Sequence, residues 1–265
     1  MTIVERALSL LVLQEGEWSD GAPVWLSALA QWTPWLLTGL WLFIVARGYL
    51  RRDRYRAVDV LSDSDRERVS AAIRRAETRT VGEIVPVVLE RSDAHTGACW
   101  VAACVSLVLG SVLLAPVLPW HAPGWVILLQ TLLAALGWLV ASRVTDVARL
   151  FISEGRADEV TGEQALQEFY SLGLHKTEAA TGVLLFVSLA ERRVLVLGDT
   201  GIDAVMDDEH WSGVVETVLK GVVEGDLAQG LVAAVDELGE VLAGSFPWAD
   251  GDRNELPDRL VVRQE

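Results

Sequence analysis

The chain has 265 residues, with 22 Lys and Arg against 37 Asp and Glu and a formal net charge of −15. So acidic a chain is excluded as a nucleic-acid binder, whose affinity comes from cations on phosphates, and a hydrophobic fraction of 51% excludes a disordered tail protein. Two cysteines, Cys99 and Cys104, provide neither a disulfide framework nor a Cys-based zinc site.

In chain order, residues 1–23 read as an extracytoplasmic or interfacial segment. Its short apolar stretch follows Glu5 and ends in no small-residue cleavage site, unlike a signal peptide. Residues 21–46 carry no charge, and 24–46 are predicted as a first transmembrane helix; about 20 apolar residues suffice to cross the hydrocarbon core. Pro34 lies inside it, where a kink is tolerated in lipid. Arg47, Arg51, Arg52, Arg54 and Arg56 follow, whereas Arg6 alone among basic residues precedes the span. The positive-inside rule then places the N-terminus outside and the chain after 46 in the cytoplasm.

The next stretch reads as one helix and one strand. Ser64-Asp65-Arg66-Glu67 is read as a capping box, with Val69, Ile73 and Ala76 at helical spacing. Thr80-Val81-Gly82 breaks the helix, and the apolar run from Glu83 to Glu90 has strand length, with Pro86 arguing for an edge position or a bulge. Residues 96–142 then hold no Asp, Glu, Lys or Arg. They divide at Pro119-Trp120-His121-Ala122-Pro123-Gly124 into spans at 98–118 and 124–142, with Trp100, Trp120, Trp125 and Trp138 near the ends, where aromatic rings favour the interface. The second and third spans form a hairpin, so the chain returns to the cytoplasm, and Arg143 and Arg149 agree with that.

Beyond the hairpin, a helix is predicted from 158 to 172, presenting Leu166, Phe169 and Tyr170. Strands at 182–189 and 193–198 flank the short connection Ala190-Glu191-Arg192 and pair as a hairpin. A helix at 208–223 turns Trp211, Val214, Val215, Val218, Leu219 and Val222 inward. A last helix is capped by Asp226 with Gln229 three residues on, and buries Leu231, Val235, Leu238 and Leu242. Segments 57–95 and 146–265 thus make one discontinuous α/β domain of three or four strands with helices on both faces.

Several stretches together resemble the membrane-anchored bacterial subgroup of the TPM-domain family. They are Ala76-Glu77, Thr80 and Gly82-Glu83-Ile84-Val85-Pro86 with Ser92-Asp93; Gly173-Leu174-His175-Lys176-Thr177; Thr181 through Arg192; Asp199, Gly201 and Ile202; and Phe246-Pro247 with Asn254-Glu255-Leu256-Pro257-Asp258. The resemblance implies a small α/β/α sandwich with a short sheet, interrupted by a transmembrane helical hairpin, the N-terminal transmembrane helix being an addition. Residues 152–159 are acidic where this subgroup leads one to expect a basic run. Relatives in chloroplasts are associated with photosystem repair, relatives in animals are accessory subunits of a receptor channel, and some are described as acid phosphatases or calcium binders. The implied function is a membrane-anchored accessory protein, in the inner (plasma) membrane, that supports assembly, maintenance or repair of a membrane protein complex. The alternative is a metal-dependent, calcium-binding acid phosphatase. The expected partners are the lipid bilayer and such a complex, with a homo-oligomer also open.

If the first two strands are parallel and the third antiparallel, Glu83, Thr181 and Asp199 share one sheet edge, close to His175 and Thr177, while Ser92, Asp93, Ser188 and Glu191 share the other, where the hairpin leaves. Glu83, Asp199 and Asp203 are candidate oxygen ligands for Ca²⁺; the competing reading has Glu83 and Asp199 as turn caps or as partners of Arg192 or Arg193. His175 is a candidate general acid or base, or a histidine bonded to backbone at a helix end. Glu83, His175 and Asp199 would be the enzyme's candidates. No Cys-x₅-Arg loop, Gly-x-Ser-x-Gly elbow or Gly-x₄-Gly-Lys loop is present. Arg192-Arg193 could hold a phosphate bidentately, and the pair reads equally as solvent-facing beside a strand.

Overall fold

The computed structural model describes residues 39–50, 60–114, 123–206, 208–249 and 254–264. Most of the predicted first span, 24–38, lies outside the described residues, as do Pro119, Trp120 and His121 of the hairpin turn. The described elements begin with helix α1 (Gly39–Leu50), α2 (Asp63–Glu77) and strand β1 (Glu83–Leu89). The apolar pair α3 (Thr96–Leu114) and α4 (Pro123–Arg143) follows, then α5 (Thr145–Arg149) and α6 (Glu154–Ser171). A one-turn 3₁₀ helix (Leu174–Lys176) leads to β2 (Gly182–Ser188), β3 (Arg193–Gly198) and α7 (Thr200–Asp203). Helices α8 (Asp208–Glu224) and α9 (Leu227–Ser245) and strand β4 (Val261–Arg263) complete the chain.

The sheet order is β3-β2-β1-β4. β1 pairs parallel with β2 (Glu83 opposite Gly182) and with β4 (Val87 opposite Val261), and β2 pairs antiparallel with β3. Period-2 alternation divides the strands between two cores. Ile84, Val88, Val183, Leu185 and Val187 face α2, α8 and α9. Val85, Val87, Leu89, Leu184 and Phe186 face Ala165 and Phe169 of α6 and Leu174 of the 3₁₀ turn. The result is an α/β/α sandwich whose two parallel central strands, buried along their whole length, are apolar except for Glu83 at the start of β1 and Ser188 at the end of β2. Small residues let the helices of the first core approach closely: a Cβ on Gly239 of α9 would lie 2.6 Å from the Ala76 Cβ of α2.

Several local expectations are corrected. The cap of α2 is Ser62, not Ser64: its Oγ accepts from the Asp65 amide at 3.2 Å, and the Asp65 carboxylate accepts from the Ser62 amide at 3.2 Å. β1 is a central strand, not an edge. Pro86 is tolerated because the amides of Ile84 and Glu90 point away from β2, so position 86 faces the same side, and pairing with β4 starts only at Val87. The missing N–H therefore costs no ladder bond. α6 begins four residues earlier than expected, where the Ser153 side chain accepts from the Arg156 amide. Leu166 and Tyr170 of α6 are exposed, as are Leu219 and Val222 of α8; only one stripe of each helix reaches a core.

Helices α3 and α4 are long and apolar enough to cross a membrane. They leave the sandwich between β1 and β2 and pack against each other, Gly137 meeting Ser106 and the Ala102 carbonyl. Their domain-side ends close on a third small core, in which Cys99, Ala102, Ala141, Val144 and Val147 pack with Trp41, Ile44 and Phe151.

Candidate functional site

The parallel register gathers polar side chains at the two ends of the sheet, as the strand pattern requires. At one end lie the starts of β1 and β2 and the end of β3. Glu83, first residue of β1, accepts on Oε1 from the Glu255 amide at 2.9 Å, and Glu255 in turn accepts from the Glu178 amide at 3.0 Å. The segment 254–258 is thus strapped across the strand starts before β4 joins the sheet.

The strap brings Asp258 to Glu77, the last residue of α2. Burial, with the negative charges of Asp258 and Glu83 beside it, pushes the Glu77 carboxyl up to about 9. Its Oε1 accepts from the Ile84 amide at 3.3 Å. Three carboxyl groups so close cannot all ionise, and Glu77 keeps the proton. The sequence pointed to Glu83 but not to Glu77 or Asp258. Glu77 reads as an ordinary helix-end residue, and only the strap of the tail brings Asp258 across 181 residues of chain.

Asp199 and Asp203 have a different setting. Asp199 caps α7, its carboxylate accepting from the Thr200 amide at 2.8 Å. Burial and the Asp199 charge raise the Asp203 carboxyl above its usual range. Among the described residues, no group of three or more His, Cys, Asp or Glu side chains is gathered so as to hold a metal ion. Neither Arg192 nor Arg193 turns to Glu83 or Asp199: they pair with Asp146 at 3.5 Å and with Asp158. His175 lies exposed in the 3₁₀ turn with its ring edge-on to Tyr170 at 4.9 Å. Behind it, the buried Thr177 hydroxyl accepts from the Thr181 amide at 3.0 Å, and the Thr181 hydroxyl donates to the Val81 carbonyl at 3.0 Å.

The opposite end holds a buried polar knot. Glu191 turns inward from the β2–β3 connection, where the amides of Leu189 and Ala190 donate to the carbonyls of Leu89 and Glu90. Its carboxylate receives the Ser188 hydroxyl, the Ser92 amide at 3.1 Å and the His95 ring at 2.5 Å. Burial alone would raise Glu191, but the bonds from His95, Ser188 and Ser92 outweigh it and hold the carboxyl below its usual value. The Ser92 hydroxyl donates to Ser188 at 2.9 Å, and the other nitrogen of His95 lies 3.5 Å from Asp93, which Arg156 approaches at 3.7 Å. Both ring nitrogens of His95 thus face carboxylates, and neither is placed to take a serine proton. The knot joins the β1 end and the β2–β3 turn to the residue just before α3.

The sequence anticipated that Ser92, Asp93, Ser188 and Glu191 would share this edge, and it missed His95. The available signal was the position of His95, a titratable residue at the last step before an uncharged span. Its backbone is left-handed (φ 47°), a conformation that few non-glycine residues adopt without local bonding.

Residues 135–241 match the family model of the TPM domain. The match takes in β2, β3 and α5 to α8 and leaves out α2, β1 and β4, which complete the same sheet and core. The structure is similar to BA42 from the psychrophilic bacterium Bizionia argentinensis, solved by NMR, with a TM-score of 0.49 and 21% identity over 76% of this chain and 94% of that one. No curated protein matches the sequence.

Proposed function

Residues 135–241 match the family model of the TPM domain, and on that premise we propose that the chain is a membrane-anchored accessory module supporting the assembly, maintenance or repair of a membrane protein complex. One observation carries the reading. A sandwich domain is interrupted, between its two central strands, by two helices of 19 and 21 residues of which only 22% and 11% of the most apolar window is buried. A core helix of a soluble protein would be mostly covered. Side chains this apolar and this exposed need lipid or another protein against them. With the segment at 24–46 as a further span, the N-terminus lies outside and the domain in the cytoplasm.

The polar knot suits this role. A buried, fully bonded cluster ties the membrane hairpin rigidly to the sheet, so that a load on the hairpin is felt at the β2–β3 turn. The candidate residues of the competing phosphatase reading, Glu83, Asp199 and His175, face different neighbours (Glu77 and Asp258, Asp203, and Tyr170 respectively).

The test is purification of the full chain in mild detergent, with quantitative mass spectrometry of what accompanies it. The expected result is one membrane protein at near-stoichiometric yield whose complex is depleted in cells lacking this chain. A partner-free protein that releases phosphate from p-nitrophenyl phosphate with Ca²⁺, and loses this with Asp199→Ala, would replace the accessory reading with the phosphatase one.

A further inference from the structure

The domain-side ends of the apolar helices carry arginines that differ from those of the sandwich. Across the soluble domain, arginines such as Arg68, Arg75, Arg193 and Arg263 reach a carboxylate within 4 Å. Arg47, Arg143 and Arg149 reach none among the described residues. In a chain with a net charge of −15 that is unexpected, because acidic side chains are abundant. The nearest acid in sequence, Asp146, is engaged by Arg192 at 3.5 Å.

All three lie on elements that meet where α1 packs on the α4–α5 junction. A Cβ on Gly48 would lie 2.5 Å from Val144 and 3.2 Å from the Asp146 side chain, so the turn of α1 that carries Arg47 abuts the junction flanked by Arg143 and Arg149. Trp41 meets Phe151 at a ring separation of 6.1 Å and closes the same junction. Around the arginines, Leu50 (81% exposed) and Leu150 (55% exposed) point outward. Cations and bare apolar side chains at one level are the composition of a bilayer interface. From that level an apolar groove of about 210 Å³ runs between α1, α3 and α4, lined by Trp41, Val45, Leu109, Leu133 and Val140, the last one turn before Arg143.

We infer that Arg47, Arg143 and Arg149 form a seat for the phosphate of an anionic phospholipid, with one acyl chain of that lipid continuing along the groove. Guanidinium groups fit phosphate oxygens bidentately. Charge complementarity selects the occupant: three cations without a carboxylate partner among the described residues, at the edge of an apolar surface, on an otherwise acidic molecule. The inference rests on the membrane-anchored reading above.

The test uses the full chain, purified in mild detergent with an equimolar mixture of phosphatidylglycerol and phosphatidylcholine and read by native mass spectrometry of the retained lipid. The wild type is expected to retain phosphatidylglycerol preferentially. The Arg47→Gln, Arg143→Gln, Arg149→Gln triple variant is expected to lose that preference by roughly tenfold or more. A control triple at Arg68, Arg74 and Arg75, all ion-paired and on α2, is expected to keep it. Equal retention of the two lipids by the wild type, or an undiminished preference in the triple variant, would overturn the seat. So would loss of the preference on adding excess inorganic phosphate, which would assign the site to free phosphate. Should the triple variant misfold, Arg143→Gln alone and the salt dependence of the wild-type preference answer the same question, and a preference indifferent to salt would count against it. Alkaline carbonate extraction of membranes separates the two failures: a chain released by carbonate refutes the membrane anchor, whereas a chain that stays without lipid preference refutes only the phosphate seat.

Discussion

Replacing Glu77 by Gln should make the protein more stable at neutral and alkaline pH. The carboxyl binds its proton up to about pH 9 in the folded state against 4.5 for the ordinary group. The sign follows from linkage. A carboxyl raised on folding favours the fold fully below pH 4.5, and that advantage is lost as pH rises toward 9. Each pH unit inside the window is worth about 1.4 kcal/mol for a wholly buried group, so pH 5 to 8 sets a ceiling of about 4 kcal/mol. Glu77 is half-buried, and solvent screening reduces this to about 2 kcal/mol. Gln keeps the shape, accepts from the Ile84 amide through Oε1 as Glu77 does, and donates to Asp258 or Glu83 without holding a proton. Thermal unfolding in detergent followed by the fluorescence of the eleven Trp is the assay. The expected outcome is a melting temperature about 5 °C above wild type at pH 8, converging with wild type at pH 4.5. Parallel curves for the two proteins across that range would refute the protonated-carboxyl account.

Glu191→Ala should destabilise the sandwich by about 3 kcal/mol, because the Ser188 hydroxyl, the Ser92 amide and the His95 ring lose their shared acceptor; chemical denaturation checks it. Because the Glu191 carboxyl is held low, the stability it contributes is present above its ordinary value of 4.5 and is lost as pH falls through the depressed one, so Glu191→Gln should flatten the acid limb of the stability curve. Arg263→Ala should cost about 2 kcal/mol and speed amide exchange in β4, since Arg263 reaches the nearly fully buried Glu168 at 3.1 Å. Gly239→Val should cost about 2 kcal/mol in the same denaturation assay, its Cβ meeting Ala76 of α2 at 2.6 Å.

Much of the architecture is periodicity, and periodicity is legible in sequence. The uncharged stretch at 96–142 predicts two long apolar helices, and α3 and α4 occupy it. The runs at 84–89 and 182–187 are apolar because both strands are buried on both faces, and the short Ala190-Glu191-Arg192 connection closes a hairpin. The cap at Asp226 follows from a side chain and an amide three residues apart. What escaped the sequence depends on partners distant along the chain. β4 is three residues long and carries no pattern of its own; it becomes a strand because the strap at Glu255 delivers it to β1, and that delivery makes Pro86 an interior residue. Glu77 acquires its raised carboxyl, and His95 its carboxylate, only when the tertiary structure sets Asp258 beside Glu77 and Glu191 beside His95. Local chemistry determines which segments become helix or strand. The long-range juxtaposition of charged groups is decided by packing, because a carboxyl's environment is set by what tertiary structure places next to it.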